Sequence, residues 1–161
     1  MRCYPNGHPI PNRRSIRHKR HDYSTPGAYF ITFNTWRWRR ILSTIVRSRV
    51  ELTPLGRIVE RNWLEIPQYF DGVVVDAFVI MPDHVHGIIH LPGPPCRPIP
   101  LSGVVRHFKL SATKWARDNL AMERIWHRNY HERIVRDQRA LETIRRYIIA
   151  NPAKWRGVRR R

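Results

Sequence analysis

Met81-Pro82-Asp83-His84-Val85-His86-Gly87-Ile88-Ile89-His90-Leu91 has the alternation of a strand entered through a turn. An apolar run, Val73 to Ile80, precedes it, and Pro82-Asp83 between the two has the composition of a tight turn. The two runs are expected to form a β-hairpin. Strand side chains alternate between faces, so His84 and His86 stand side by side on one of them. Two neutral imidazoles converging in this way can hold one divalent cation and leave coordination positions open for a substrate. On spacing alone the plainer account, two histidines on a half-polar sheet face, is the stronger, because His-x-His is a short pattern.

Working outward, Ala28 to Trp36 is rich in aromatic and β-branched residues and reads as the first strand. Trp36-Arg37-Trp38-Arg39-Arg40 follows, an interleaving of indoles and guanidinium groups that suits base stacking beside phosphate contacts. Core tryptophans with exposed arginines between them account for it equally well. Thr53-Pro54 has the form of a helix start, and Leu55, Ile58, Val59, Trp63 and Ile66 recur at helical spacing behind it. Beyond the hairpin, the proline-rich run 92–100 excludes helix and central strand. A second long helix runs from Ser102 to Leu120, with Val105, Phe108, Leu110, Ala112 and Trp115 assigned to its apolar side. Ile125 to Val135 alternates loosely and is assigned as a fourth strand. Asp137 then caps a last helix, marked by Leu141, Ile144 and Ile148 and closed by Pro152. Strand, helix, strand, strand, helix, strand is the order of a ferredoxin-like βαββαβ α+β sandwich with an antiparallel sheet, here with an additional C-terminal helix.

The chain of 161 residues suits one compact domain, expected over 26–155. A basic arm (1–25) precedes it and a basic tail (156–161) follows. Lys and Arg number 30 against 12 Asp and Glu, a formal charge of +18 that an anion must offset, and nucleic acid is the usual polyanion. Cys3 and Cys96 lie too far apart in sequence to suggest a disulfide framework or a cysteine-rich zinc site. No apolar run reaches bilayer length and no secretory segment opens the chain, so a cytoplasmic, nucleoid-associated protein is expected.

The last helix adds chemistry. Tyr147 and Asn151 are four apart and share a helical face, although the proline after Asn151 is expected to loosen that geometry. Set against the histidines, Asn151 would give the cation a third, oxygen ligand and Tyr147 would attack phosphorus. A covalent tyrosyl phosphate stores the energy of the broken bond, which suits cutting and rejoining better than hydrolysis. Tyr130 is the rival nucleophile, but its assigned place on a strand gives it no ligand-type neighbour. His90, His127 and His131 are read as bystanders. Arg37, Arg39, Arg106, Lys109, Arg145, Arg146 and Lys154 are the candidate DNA contacts.

Taken together, Met-Pro-Asp-His84-Val-His86, then Ile125-Trp126-His127-Arg128-Asn129-Tyr130, then Arg146-Tyr147-Ile148-Ile149-Ala150-Asn151-Pro152 resemble the REP-associated tyrosine transposases of the His-hydrophobic-His superfamily. The entry Asp22-Tyr23-Ser24-Thr25-Pro26-Gly27-Ala28-Tyr29-Phe30-Ile31-Thr32 is similar to that family's beginning, and the likeness spans about residues 17 to 155. The resemblance implies a nuclease that cuts single-stranded DNA at the foot of palindromic hairpins, using Mg²⁺ or Mn²⁺ and leaving a 5′-phosphotyrosine. It maps metal ligands onto His84, His86 and Asn151 and the nucleophile onto Tyr147. It leaves monomer and homodimer both open. The proline-rich loop and the short basic tail are less typical of the family. A different class of function is a non-catalytic single-stranded nucleic-acid binder that uses an open sheet face and Trp36 and Trp38.

Overall fold

The computed structural model describes residues 22–156. In chain order they form β1 (Gly27–Asn34), β2 (Ser43–Val46), β3 (Arg49–Leu52), α1 (Pro54–Leu64), a one-turn α2 (Ile66–Tyr69), β4 (Val74–Ile80), β5 (His84–Leu91), α3 (Leu101–Leu120), β6 (His131–Val135) and α4 (Gln138–Ala150). Strands β4, β5, β1 and β6 make one antiparallel sheet in that spatial order. With β2 and β3 set aside, this is the ferredoxin-like order and the expected α+β sandwich.

Two helix caps form as the sequence implies. The Thr53 hydroxyl accepts the Gly56 N–H at 3.0 Å, and the Asp137 carboxylate accepts the Ala140 N–H at 2.7 Å. Strand alternation then divides the apolar residues between two layers. Tyr29, Ile31 and Phe33 of β1, with Val85 and Ile89 of β5, pack on Trp63, Val105 and Phe108 from α1 and α3. The opposite face carries His84, His86 and Ile88, and α4 lays Leu141, Ile144 and Ile148 over Ile88 and Phe30. That face is therefore roofed by α4 over Ala28, Phe30 and Ile88, and the remainder, with Thr32, Asn34, His84, His86 and His131, lines a cleft.

Several expectations are corrected. The β2–β3 hairpin is an addition that the sequence reading passes over. Its two-residue loop, Arg47-Ser48, has positive φ at both positions (47° and 64°) but lacks the Asn-Gly chemistry that usually announces such a turn. The last strand is shorter than 125–135, because residues 125–130 run irregularly, with one bridge from Trp126 to Thr35. Tyr130 thus precedes the strand, and its ring packs 6.1 Å from Phe33 in the helix-side core. Leu110 is 56% exposed, since two residues past Phe108 is the far side of a helix, while Val104 and Ala116 fill the buried stripe. Arm residues 1–21 and tail residues 157–161 lie outside the described part. The arm's last residues already belong to the fold: Asp22–Thr25 form a turn, and the Tyr23 carbonyl accepts the Leu101 N–H at 3.0 Å.

Gly87 shows how tightly the histidine strand is packed. A Cβ there would lie 2.3 Å from Cζ2 of the fully buried Trp63. Gly87→Ala should therefore overpack the core and cost about 1–3 kcal/mol, read as a lower urea midpoint at unchanged slope. An unchanged midpoint would contradict this packing.

Candidate active site

The site is assembled where β5, β1, β6 and the end of α4 meet, around a cleft of 590 Å³. His84 and His86 have ring centres 4.6 Å apart on the α4 side of β5. Antiparallel register sets Asn34 opposite His84, and Thr32 opposite both His86 and His131, so His86, Thr32 and His131 form a row across three strands. Phe30 stacks on His86 at 5.4 Å and meets Tyr147 edge-on at 6.1 Å, forming an apolar floor.

Each histidine is oriented by an oxygen. His84 Nδ1–H donates to Asp83 Oδ1 at 2.6 Å, because an ionised carboxylate only accepts. The neutral ring then carries its free lone pair on Nε2. His86 Nδ1 lies 2.8 Å from Thr32 Oγ1, and its Nε2 lies 3.2 Å from the Tyr147 hydroxyl. Two arrangements satisfy both contacts: Nδ1–H donating to Thr32 with Nε2 accepting from Tyr147, or the Thr32 hydroxyl donating to Nδ1 with Nε2–H donating to Tyr147; the first makes Nε2 the ligand-type nitrogen, as in His84. Carboxylate or hydroxyl support of this kind is the usual backing of a metal-binding histidine.

Tyr147 and Asn151 line the same cleft. The loosening expected from Pro152 does not occur: Asn151 keeps α-helical angles (φ −60°, ψ −44°), and Pro152 opens a single 3-10 turn, Pro152–Lys154, whose first position tolerates its fixed φ. Tyr147 is 43% exposed, whereas Ile144 and Ile148 beside it are buried.

An ion pair fixes α4 in addition to its apolar stripe. Arg145 donates from Nε to Asp76 Oδ1 at 3.0 Å and from Nη2 to Oδ2 at 2.7 Å, and His90 Nε2–H donates to Oδ2 at 2.8 Å. The Arg145 guanidinium holds the Asp76 carboxyl well below the usual carboxylate range, with His90 and the Ala77 N–H adding to it against partial burial.

The matching family model is described as Transposase IS200 like and covers residues 41–151. The chain belongs to the IS200-like transposase family. Over 91% of its length this IS200-like transposase is 37% identical to an uncharacterized protein of Haemophilus influenzae, of which it spans 91%. Its fold is similar to that of a REP-associated tyrosine transposase solved bound to a REP hairpin, with a TM-score of 0.66 and 22% identity over 88% of this chain and 76% of that one. A putative transposase from Deinococcus radiodurans is similar at a TM-score of 0.52 and 15% identity, over 82% and 95% of the two chains. Among the described residues of this transposase, no helix is long and apolar enough to cross a membrane.

The candidate DNA contacts scatter. Lys154 lines the cleft. Arg37 and Arg39 are exposed on the loop after β1, and Arg146 is exposed on α4 beside Tyr147. Arg145 is drawn onto Asp76 and fastens the helix. Arg106 and Lys109 lie on α3, in the layer behind the sheet. Lys109 donates to the His127 and Arg128 carbonyls at 2.6 and 3.2 Å, and burial lowers its ammonium to about 8. Trp36 and Trp38 part company as well: Trp38 lines the cleft, while Trp36 lies under Arg124 at 4.4 Å and beside His127. Thr32, Asn34, His131 and Trp155 also line the cleft, and none of them is marked by local sequence. His131 was expected to be a bystander, and only cross-strand register shows its place.

The Asp76 anchor carries a pH signature. Its folded carboxyl titrates below the unfolded value of about 3.8, so its contribution is full above that value and is lost as pH falls through the folded one. Asp76→Asn should lower stability near pH 7, and the gap to wild type should narrow toward about pH 3 in urea melts. A gap independent of pH would contradict the assignment.

Proposed function

We propose that this IS200-like transposase is a metal-dependent single-stranded DNA endonuclease and strand transferase that works at REP-type palindromic hairpins through a 5′-phosphotyrosine. The observation that carries this reading is the Tyr147 hydroxyl 3.2 Å from His86 Nε2, inside a cleft that also holds His84 and Asn151.

The donor set fits a cation. Among the described residues, no three His, Cys, Asp or Glu side chains group as ligands, so a third protein donor must be of another type. The Asn151 carboxamide, on the same cleft, is one. His84, His86 and Asn151 would hold Mg²⁺ or Mn²⁺ and leave positions for phosphate oxygen and water. When bound, the cation supplies Lewis-acid stabilisation of charge on a non-bridging phosphate oxygen. Asp83 holds His84, and Thr32 accepting from Nδ1–H would hold His86, in the tautomer whose Nε2 can bind the cation. Tyr147, on a helix end fixed by Ile144, Ile148 and Arg145, presents its oxygen to phosphorus. That oxygen forms the new P–O bond and gives up its proton, the P–O3′ bond breaks, and the departing oxygen takes a proton to become a 3′-hydroxyl. Reversal by the same or another 3′-hydroxyl rejoins strands. The excess positive charge favours a polyanionic substrate and predicts steep salt dependence of binding.

Incubation with a labelled hairpin bearing a single-stranded 5′ flank and Mn²⁺ should give an SDS-resistant adduct that EDTA prevents. Tyr147→Phe should abolish the adduct and leave DNA binding near wild type, whereas an adduct lost in Tyr130→Phe and kept in Tyr147→Phe would overturn the nucleophile assignment. His84→Ala and His86→Ala should lose cleavage while keeping a native circular dichroism spectrum. Asp83→Ala, which frees His84 Nδ1, should weaken Mn²⁺ binding about 10- to 100-fold by calorimetry. Unchanged affinity would remove Asp83 from the site.

A further inference from the structure

Two indoles that the metal and the nucleophile leave unused line the same cleft, Trp38 and Trp155. Trp155 follows the turn after α4. Its ring centre is 6.0 Å from that of His84, and the Arg40 guanidinium lies 5.7 Å over its face. Trp38 is 39% exposed and stands on a turn where Arg37 and Trp38 both take left-handed φ, 54° and 56°. That backbone is costly for a residue with a Cβ, and strain of this kind collects at working sites. Here it is held by the turn that precedes His84: the buried Thr35 donates its N–H to the Asp83 carbonyl at 2.9 Å and its hydroxyl to the Arg39 carbonyl at 2.7 Å, and the Leu42 N–H donates to the Pro82 carbonyl at 3.1 Å. The strained turn and the histidine strand therefore share one frame. Core packing does not account for the strain, since it leaves the Trp38 indole at the surface.

Indole faces at a cleft mouth bordered by Arg40, Lys154 and Arg156 match the chemistry of single-stranded nucleic acid, in which bases offer π-faces and phosphates carry the charge. We propose that Trp38 and Trp155 form a base-stacking subsite for unpaired DNA bases flanking the phosphate that reacts at His84, His86 and Tyr147. The proposal rests on the nuclease reading above and adds to it what grips the strand next to the cut. Stacking tolerates any base, so the subsite supplies grip and alignment and leaves sequence choice to other contacts.

The test uses the full chain carrying Tyr147→Phe, so that no strand is cut, and compares a short oligothymidylate with an abasic strand of equal length by fluorescence anisotropy. The thymidylate should bind about 5- to 150-fold more tightly. Trp155→Leu and Trp38→Leu, which keep apolar bulk without a π-face, should each shrink that ratio and leave abasic affinity nearly unchanged, while Trp155→Phe should retain most of it. Equal losses for both strands, or an unaltered ratio, would overturn the subsite. Should Trp155→Leu fail to fold, the exposed Trp38→Leu and the quenching of 2-aminopurine placed in the bound strand read the same stacking, and a strand whose fluorescence is unquenched overturns it. An intact ratio, with no covalent adduct formed by the protein that retains Tyr147, sinks the nuclease reading alone. An adduct with a ratio near one sinks the subsite alone.

Discussion

The docking of α4 onto the histidine face of the sheet is the contact on which the site depends. Ile88, fully buried, lies one alternation beyond His86 on β5, and Leu141, Ile144 and Ile148 close over it and Phe30. Burying each of these aliphatic side chains contributes roughly 1.5–3 kcal/mol, so the helix has one strongly preferred face. Tyr147 borders that face. Where the stripe goes inward, the phenol has to emerge at its edge, and that edge runs along His86. An apolar stripe can still rotate or slide by a few degrees, and the directional pair between Arg145 and Asp76 limits both motions.

Chemistry then follows from two periodicities meeting. The period of two along β5 sends Val85 and Ile89 to the helix-side core and His84 and His86 to the cleft. The period of 3.6 along α4 does the same for Ile148 and Tyr147. Gly87 lets Trp63 press against the strand immediately after His86, so core packing and site geometry are coupled at one residue. The surplus of positive charge is a separate layer: among the described residues Lys154 and Arg156 are the Lys and Arg side chains that line the cleft, and charge elsewhere acts on a polyanion through long-range attraction.

Much of this was legible before any coordinates, and the boundary is physical. The hairpin of β4 and β5, both capped helices, the pairing of His84 with His86 and that of Tyr147 with Asn151 are local facts of alternation, turn chemistry and helical spacing; that the two pairs meet, 61 residues apart in sequence, is carried by the family resemblance and not by local pattern. Whatever needs partners distant in sequence was not legible. Thr32 and His131 join His86 only because β1 lies between β5 and β6, and nothing near Thr32 says so. Arg145 read as a DNA contact because Asp76 is 69 residues away in sequence. Trp36 and Trp38 read as one platform because the strained turn that parts them has no glycine to announce it. The β2–β3 hairpin stayed hidden for the same reason, with Arg47-Ser48 where Asn-Gly would have marked it.

The central claim is that one phenol, placed by α4 beside the two imidazoles of β5, is the group that takes the DNA phosphate. Peptide mapping by mass spectrometry of the covalent protein–DNA species, formed by wild-type protein with Mn²⁺ and a flanked hairpin, tests it most directly. The account predicts the nucleotide remnant on the peptide containing Tyr147. A remnant on the peptide containing Tyr130, or on any other residue, would contradict it.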